Sequence, residues 1–132
     1  MIQTGEQFRA YIESELGDGS RPIFSDKAVF FGVVKTNGNF GVVALDNYTH
    51  YDIELSYAGN HFLSRTLLAV IFNNVFIKLK CHRCTSRITA DNDKAISIVE
   101  RLGFVHEGTL RQAYEGNDVL VHGLLKSECR YI

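Results

Sequence analysis

The sequence predicts a mixed α/β fold on one central mixed sheet, with the element order α-β-β-β-α-β-α-β-β. Three observations carry that prediction. Asn37-Gly38 is a strong short-range hairpin signal, and it sits between two β-branched and aromatic runs, residues 28–35 and 40–45. Residues 62–79 are apolar nearly all round, the pattern of a helix packed on a sheet and covered on its other faces. Between residues 51 and 90 a strand, that helix and a second strand form a βαβ unit, whose crossover is right-handed with parallel strands.

Each element has its own local reason. Thr4 followed by Gln7 reads as a capping box, and Phe8, Tyr11, Ile12, Glu15 and Leu16 follow at helical spacing. Gly17, Asp18 and Gly19 stop this first helix. After Pro22 come the two hairpin strands, then a turn at Asp46-Asn47-Tyr48-Thr49, then a third strand over 51–57 alternating through Ile53, Leu55 and Tyr57. The first half is therefore one helix and a three-stranded meander. Beyond the central helix, residues 83–90 form a strand, and residues 93–102 a helix capped by Asn92 and ended by Gly103. A strand over 104–114, a turn at Glu115-Gly116-Asn117-Asp118 and a last strand over 119–126 complete the order.

Composition narrows the function classes. The 132 residues fit one domain, 1–132, and 45% hydrophobic content with a single Pro argues against disorder. Fourteen Lys and Arg against 15 Asp and Glu imply no basic surface, which disfavours a nucleic-acid binder. The first residues carry no basic lead or apolar core of a signal peptide, and no apolar run is long enough to span a bilayer, so a cytoplasmic protein is expected. Three cysteines, Cys81, Cys84 and Cys129, fit a reducing compartment. Cys81-His82-Arg83-Cys84 has the C-x-x-C spacing, but a tetrahedral metal site needs four ligands and no second pair follows; no metal is expected. Cys84 reads instead as a small core residue alternating with Ser86 and Ile88.

Three short patterns occur in order in the last third: Asn92 with Ala95, then Leu102-Gly103-Phe104, then Glu107-Gly108 with Arg111. Together they resemble the C-terminal half of the GCN5-related N-acetyltransferase (GNAT) family, in the branch that acetylates ribosomal-protein N-termini and small polyamines. Short phage-encoded members of that family are similar along most of the chain. The resemblance implies a GNAT-like acyltransferase domain, acetyl-CoA as co-substrate, and a primary amine as acceptor, either a protein N-terminus or a small molecule. A homodimer is compatible with it. Family members begin with an extra strand before the first helix; none is apparent here, so a sheet without that edge is expected.

Acetyl transfer requires the cofactor to be held, the amine oriented and deprotonated, the thioester carbonyl polarised, and the leaving thiolate protonated. In the family the cofactor enters where the third meander strand and the strand after the central helix splay apart. Its pantetheine arm pairs with the backbone of the former strand, here residues 53–57, which implicates Ile53 and Leu55. Its pyrophosphate rests on the free N–H groups opening the central helix. There the family carries a basic residue or Gln and two small residues, and alignment puts Gly59, Phe62 and Ser64 in those places. Phe62 would crowd a phosphate unless its side chain turned into the core. The polar groups left are Asn60, Ser64 and Arg65, and the same stretch also reads as a plain helix N-terminus with a hydroxyl cap.

Asn92 is implied on the cofactor side, and it equally reads as a helix cap. The Tyr that many members place four residues before Gly-Phe, as acid for the thiolate, is Val99 here. Glu54 is the candidate general base. It shares a strand face with Asp52 and Ser56, where a cleft would raise its pKa and solvent would leave it an ordinary surface charge. Of five histidines, His61 is an accessory candidate near the cleft mouth, and His106 and His122 are expected to face each other across the last hairpin. The altered loop and the missing Tyr leave a second reading open, a family-shaped binding or assembly module without catalysis.

Overall fold

The computed structural model describes residues 1–17 and 23–132. Its elements are β1 (Ile2–Thr4), α1 (Arg9–Leu16), β2 (Val29–Val34), β3 (Phe40–Asp46), β4 (Asp52–Gly59), α2 (Arg65–Phe72), β5 (Arg83–Thr89), α3 (Asp93–Arg101), β6 (Val105–Tyr114) and β7 (Asn117–Leu125). The seven strands form one sheet in the order β1-β2-β3-β4-β5-β7-β6. All neighbours are antiparallel except β4 and β5, which are parallel and joined through α2, as the βαβ reading requires. The mixed α/β architecture is the one expected.

One expectation is overturned at the N-terminus. The first strand is present: β1 pairs with β2 through Ile2↔Val33, Gln3↔Gly32 and Thr4↔Phe31. Thr4 is thus a strand residue, and Gln7 Nε2 donates to its carbonyl at 3.3 Å. A 3₁₀ turn over Glu6–Phe8 precedes α1, so the helix starts later than the Thr4 cap implied. Gly17 ends α1 by donating its N–H to Glu13 O; Asp18, Gly19 and Pro22 lie outside the described residues.

The central helix also differs in kind. The α-helical turns end at Phe72 and continue as a π-helix over Asn73–Lys78, which closes with Leu79 N–H on Asn74 O. The wider turn keeps Phe72, Val75 and Phe76 all buried. The burial is not complete on every side, because Thr66, Asn73 and Ile77 reach solvent.

Apolar residues cover both faces of the meander, which is why β2 and β3 read as continuous apolar runs instead of alternating ones. One face, with Phe31, Val43, Leu45, Ile53 and Leu55, packs on α2 and on Val99 of α3. The other, with Phe30, Val42, Ala44 and Ala58, packs on Ile12 of α1. Cys84, Ser86 and Ile88 are buried on β5 as expected, but Thr85 between them is buried as well, so burial there does not alternate strictly, and Cys81 is buried too.

Candidate active site

The sheet opens at its parallel junction. β4 and β5 share three rungs, Asp52↔Arg83, Ile53↔Cys84 and Glu54↔Thr85. β4 nevertheless continues against β3 as far as Gly59, and β5 continues against β7 as far as Thr89. Residues 55–59 and 86–89 therefore diverge with unshared edges, and a cavity of about 840 Å³ lies over the gap. Its walls come from Tyr57 and Gly59 of β4, from residues 61–65 at the start of α2, and from Asn92, Ala95 and Arg101 on or before α3.

A charged network at the closed end of the junction, around the Asp52↔Arg83 rung, ties β4, β5 and β6 together. Arg83 Nη2 reaches Glu107 Oε1 at 2.7 Å and Nη1 reaches Oε2 at 3.2 Å, while Thr85 Oγ1 donates to Asp52 Oδ1 at 2.7 Å and accepts from Arg83 Nε at 3.0 Å. The pair with Glu107 raises the Arg83 pKa further. Its path from β5 to β6 passes over Gly123 of β7, where a Cβ would lie 2.4 Å from Arg83 Nη2. Glu107-Gly108 thus serves the sheet, not the cavity.

The start of α2 is shaped by two glycines. Phe62 turns into the core, 2% exposed, and lies where a Cβ on Gly41 would meet its ring at 2.1 Å. Gly59, at φ 140°, lets the chain leave β4 beside it. The crowding feared from Phe62 does not arise. His61 takes the left-handed φ of 48° just before, and its backbone lines the turn into the helix. Ser64 Oγ accepts the Leu67 N–H at 3.1 Å, and Leu68 N–H reaches Ser64 O. That leaves the N–H groups of Arg65 and Thr66 without a partner inside the helix.

The sequence-predicted residues fall in two groups. Ser64, Arg65 and Asn92 line the cavity. Asn92 Oδ1 caps α3 by accepting the Ala95 N–H at 3.1 Å, so Nδ2 is the group left to face a ligand. Ile53 and Leu55 bury their side chains in the core, Ile53 inside the last rungs and Leu55 just beyond them. Asn60 is exposed and holds β3 through its N–H on Phe40 O; it is not a wall of the cavity. Glu54 is on the last rung, on the face opposite Ile53 and Leu55. It accepts from Asn47 Nδ2 at 2.9 Å and lies 3.9 Å from Arg87 Nη1.

His106 and His122 do face each other, with ring centroids 5.3 Å apart. His122 is fully buried with Nε2 on Glu100 Oε2 at 3.0 Å, which ties α3 to β7. Val99, at the place of the family's Tyr, is buried. The side chains of Tyr57 and Tyr131 are among the wall groups to which the sequence assigned no role. Tyr57 follows Leu55 by two and so points to the cavity face, and burial pushes its phenol pKa up, with Arg101 opposing. Tyr131, beyond the last strand, carries no local signal at all.

No family profile matches the sequence, and no curated protein sequence does either. Solved structures do match. A single-residue mutant of spermidine N-acetyltransferase SpeG from Vibrio cholerae superposes with a TM-score of 0.72 at 21% identity, covering 96% of this chain and 95% of that one. A mutant form of the spermidine/spermine N-acetyltransferase SpeG from the same organism gives 0.72 at 23% identity, with 99% and 96% covered. A SpeG complex with manganese ions gives 0.70 at 22%, with 96% and 92% covered. The chain has the GNAT fold. Among the described residues no group of three or more His, Cys, Asp or Glu side chains is placed to hold a metal ion, and no helix is long and apolar enough to cross a membrane.

Proposed function

We propose that this protein transfers the acetyl group of acetyl-CoA to the primary amine of a small molecule, with polyamines such as the neighbours' spermidine the first class to test. The observation that carries the reading is the parting of β4 from β5 after Glu54, directly before a capped helix start with two free N–H groups. The unpaired backbone of residues 55–59 can accept an extended amide chain as a strand would. The N–H groups of Arg65 and Thr66, the Arg65 guanidinium and Asn92 Nδ2 suit its anionic end.

In this reading the acceptor approaches from the opposite face of the sheet. Glu54, on the last rung there, takes a proton from the ammonium group directly or through water. The amine nitrogen then forms a bond to the thioester carbonyl carbon and gives up a second proton, the C–S bond breaks, the thiolate receives the Tyr57 phenol proton, and the proton lost from nitrogen returns to the Tyr57 phenolate through water. Tyr57 stands in for the Tyr that Val99 replaces. The reading places the protein in the cytoplasm, and the three free cysteines agree with that.

A second reading, a binding module without turnover, is favoured by buried Val99 at the acid position. Calorimetric titration with acetyl-CoA and CoA, followed by thiol release with spermidine, other amines and N-terminal peptides, separates the two. Binding with transfer is expected. Binding without transfer across the panel supports the module, and no binding at millimolar acetyl-CoA removes both the cofactor and the enzyme.

A further inference from the structure

The segment after β7, residues 129–132, folds back between α2 and α3 and places Tyr131 in the cavity wall. The Tyr131 ring stacks on buried Phe72, centroids 5.7 Å apart and 22° between planes, so the core fixes its position. Two guanidinium groups gather on that ring. Arg65 Cζ lies 5.6 Å from its centroid and Arg130 Cζ 5.9 Å. Arg65 Nη2 donates to Arg130 O at 3.5 Å, and Arg130 Nη2 donates to Arg101 O at the end of α3. Tyr131 thus joins a cation on the first residue of α2 to a second cation anchored on α3.

Among the described residues neither cation has a carboxylate partner, whereas Arg9, Arg83 and Arg87 do. Like charges brought to one ring repel, and the arrangement is relieved by an anion between them. Lys94 and Arg101 also line the cavity, while Glu15 is the one described carboxylate residue in its wall.

From this we infer that residues 129–132 are a phosphate clamp of the cavity, in which Tyr131 is a positioning residue that holds Arg65, with Arg130, toward the phosphate groups of an acyl-CoA. The inference rests on the acetyl-CoA reading above, and it assigns its phosphate affinity to a segment outside the helix start. The ring acts through its π face, so its hydroxyl is dispensable.

The test is calorimetric titration of wild type, Tyr131→Ala, Tyr131→Phe and Arg130→Ala with CoA and with pantetheine, which lacks the phosphates. Tyr131→Ala and Arg130→Ala are expected to weaken CoA binding roughly tenfold while pantetheine binding stays at wild type. Tyr131→Phe keeps wild-type CoA affinity. The wild-type affinity falls more steeply with salt than that of Tyr131→Ala. Equal losses for CoA and pantetheine would reduce Tyr131 to packing and overturn the clamp, as would a Tyr131→Ala protein that binds CoA like wild type. A wild type that binds pantetheine and CoA equally also overturns it. If wild type binds no CoA at all, the acetyl-CoA reading fails and the clamp falls with it.

Discussion

Glu54 and Tyr57 stand three residues apart on one strand and therefore face opposite sides of the sheet, which in the proposed reaction gives one to each substrate. Their tests differ accordingly. Glu54→Gln is expected to lower turnover by roughly 10²–10⁴ while leaving CoA affinity within about threefold, because a base acts in the transition state. Ser64→Ala with Arg65→Ala is expected to do the reverse, weakening CoA more than Glu54→Gln does, since it removes ground-state contacts. Equal losses of affinity in the two proteins would end that division of roles. Tyr57→Phe is expected to slow turnover on the order of 10²-fold with CoA affinity retained. Burial holds its phenol above the ordinary value of 10.0, so the donor stays protonated through neutral pH and gives no alkaline limb below that value. Full activity of Tyr57→Phe would leave the thiolate to water. The sequence exposed Glu54 because a carboxylate stands out on an apolar strand. It hid Tyr57 because an aromatic at the end of an alternating run is what any core strand carries.

Elements were legible where their signals are local, and illegible where a partner decides. The Asn37-Gly38 hairpin, the Asn92 cap and the Gly103 stop all occur within a residue or so of expectation, since each rests on contacts within four residues. β1 was missed because three residues, two of them polar, have no alternation to read; only pairing with β2 makes them a strand. The π-helix is equally silent, as the two helical periods diverge little over six residues. The direction of Phe62 depended on a glycine remote in sequence, Gly41 on β3, as well as on Gly59 three residues before it. That dependence makes a prediction. Gly41→Ala puts a methyl group 2.1 Å from the Phe62 ring, against a core that cannot give way, and is expected to destabilise by about 1–3 kcal/mol. Adding Phe62→Leu to Gly41→Ala should return part of that loss in a thermal melt. Simple additivity of the two losses would mean that the contact does not set the position of the loop.

Across the whole molecule, two apolar layers share one sheet, and the layer carrying α1 depends on a polar tie as well as on packing. Asp46, 6% exposed at the end of β3, accepts from the Ser25 N–H at 2.8 Å, from Ser25 Oγ, and from the Asn47 N–H at 2.9 Å. Arg9 of α1 in turn donates to Phe24 O at 3.0 Å and to Ser25 O at 2.9 Å, so carboxylate, loop and helix form one chain of bonds. Burial pushes the Asp46 pKa up, but the bonds from Ser25 and Asn47 outweigh it and the net shift is down from 3.8. A depressed folded value means that the tie is fully present above the unfolded value and fades as pH falls from about 3.8 toward the lower folded one. Asp46→Asn keeps the size and loses the charge, leaving an amide to face donors, and is expected to destabilise at pH 7 by about 1–3 kcal/mol. Melting curves from pH 7 down to pH 2 should show the gap between wild type and Asp46→Asn narrowing below about pH 4. A gap that stays constant across that range would place the stabilisation in shape alone and remove the charge of Asp46 from what holds α1 to the sheet.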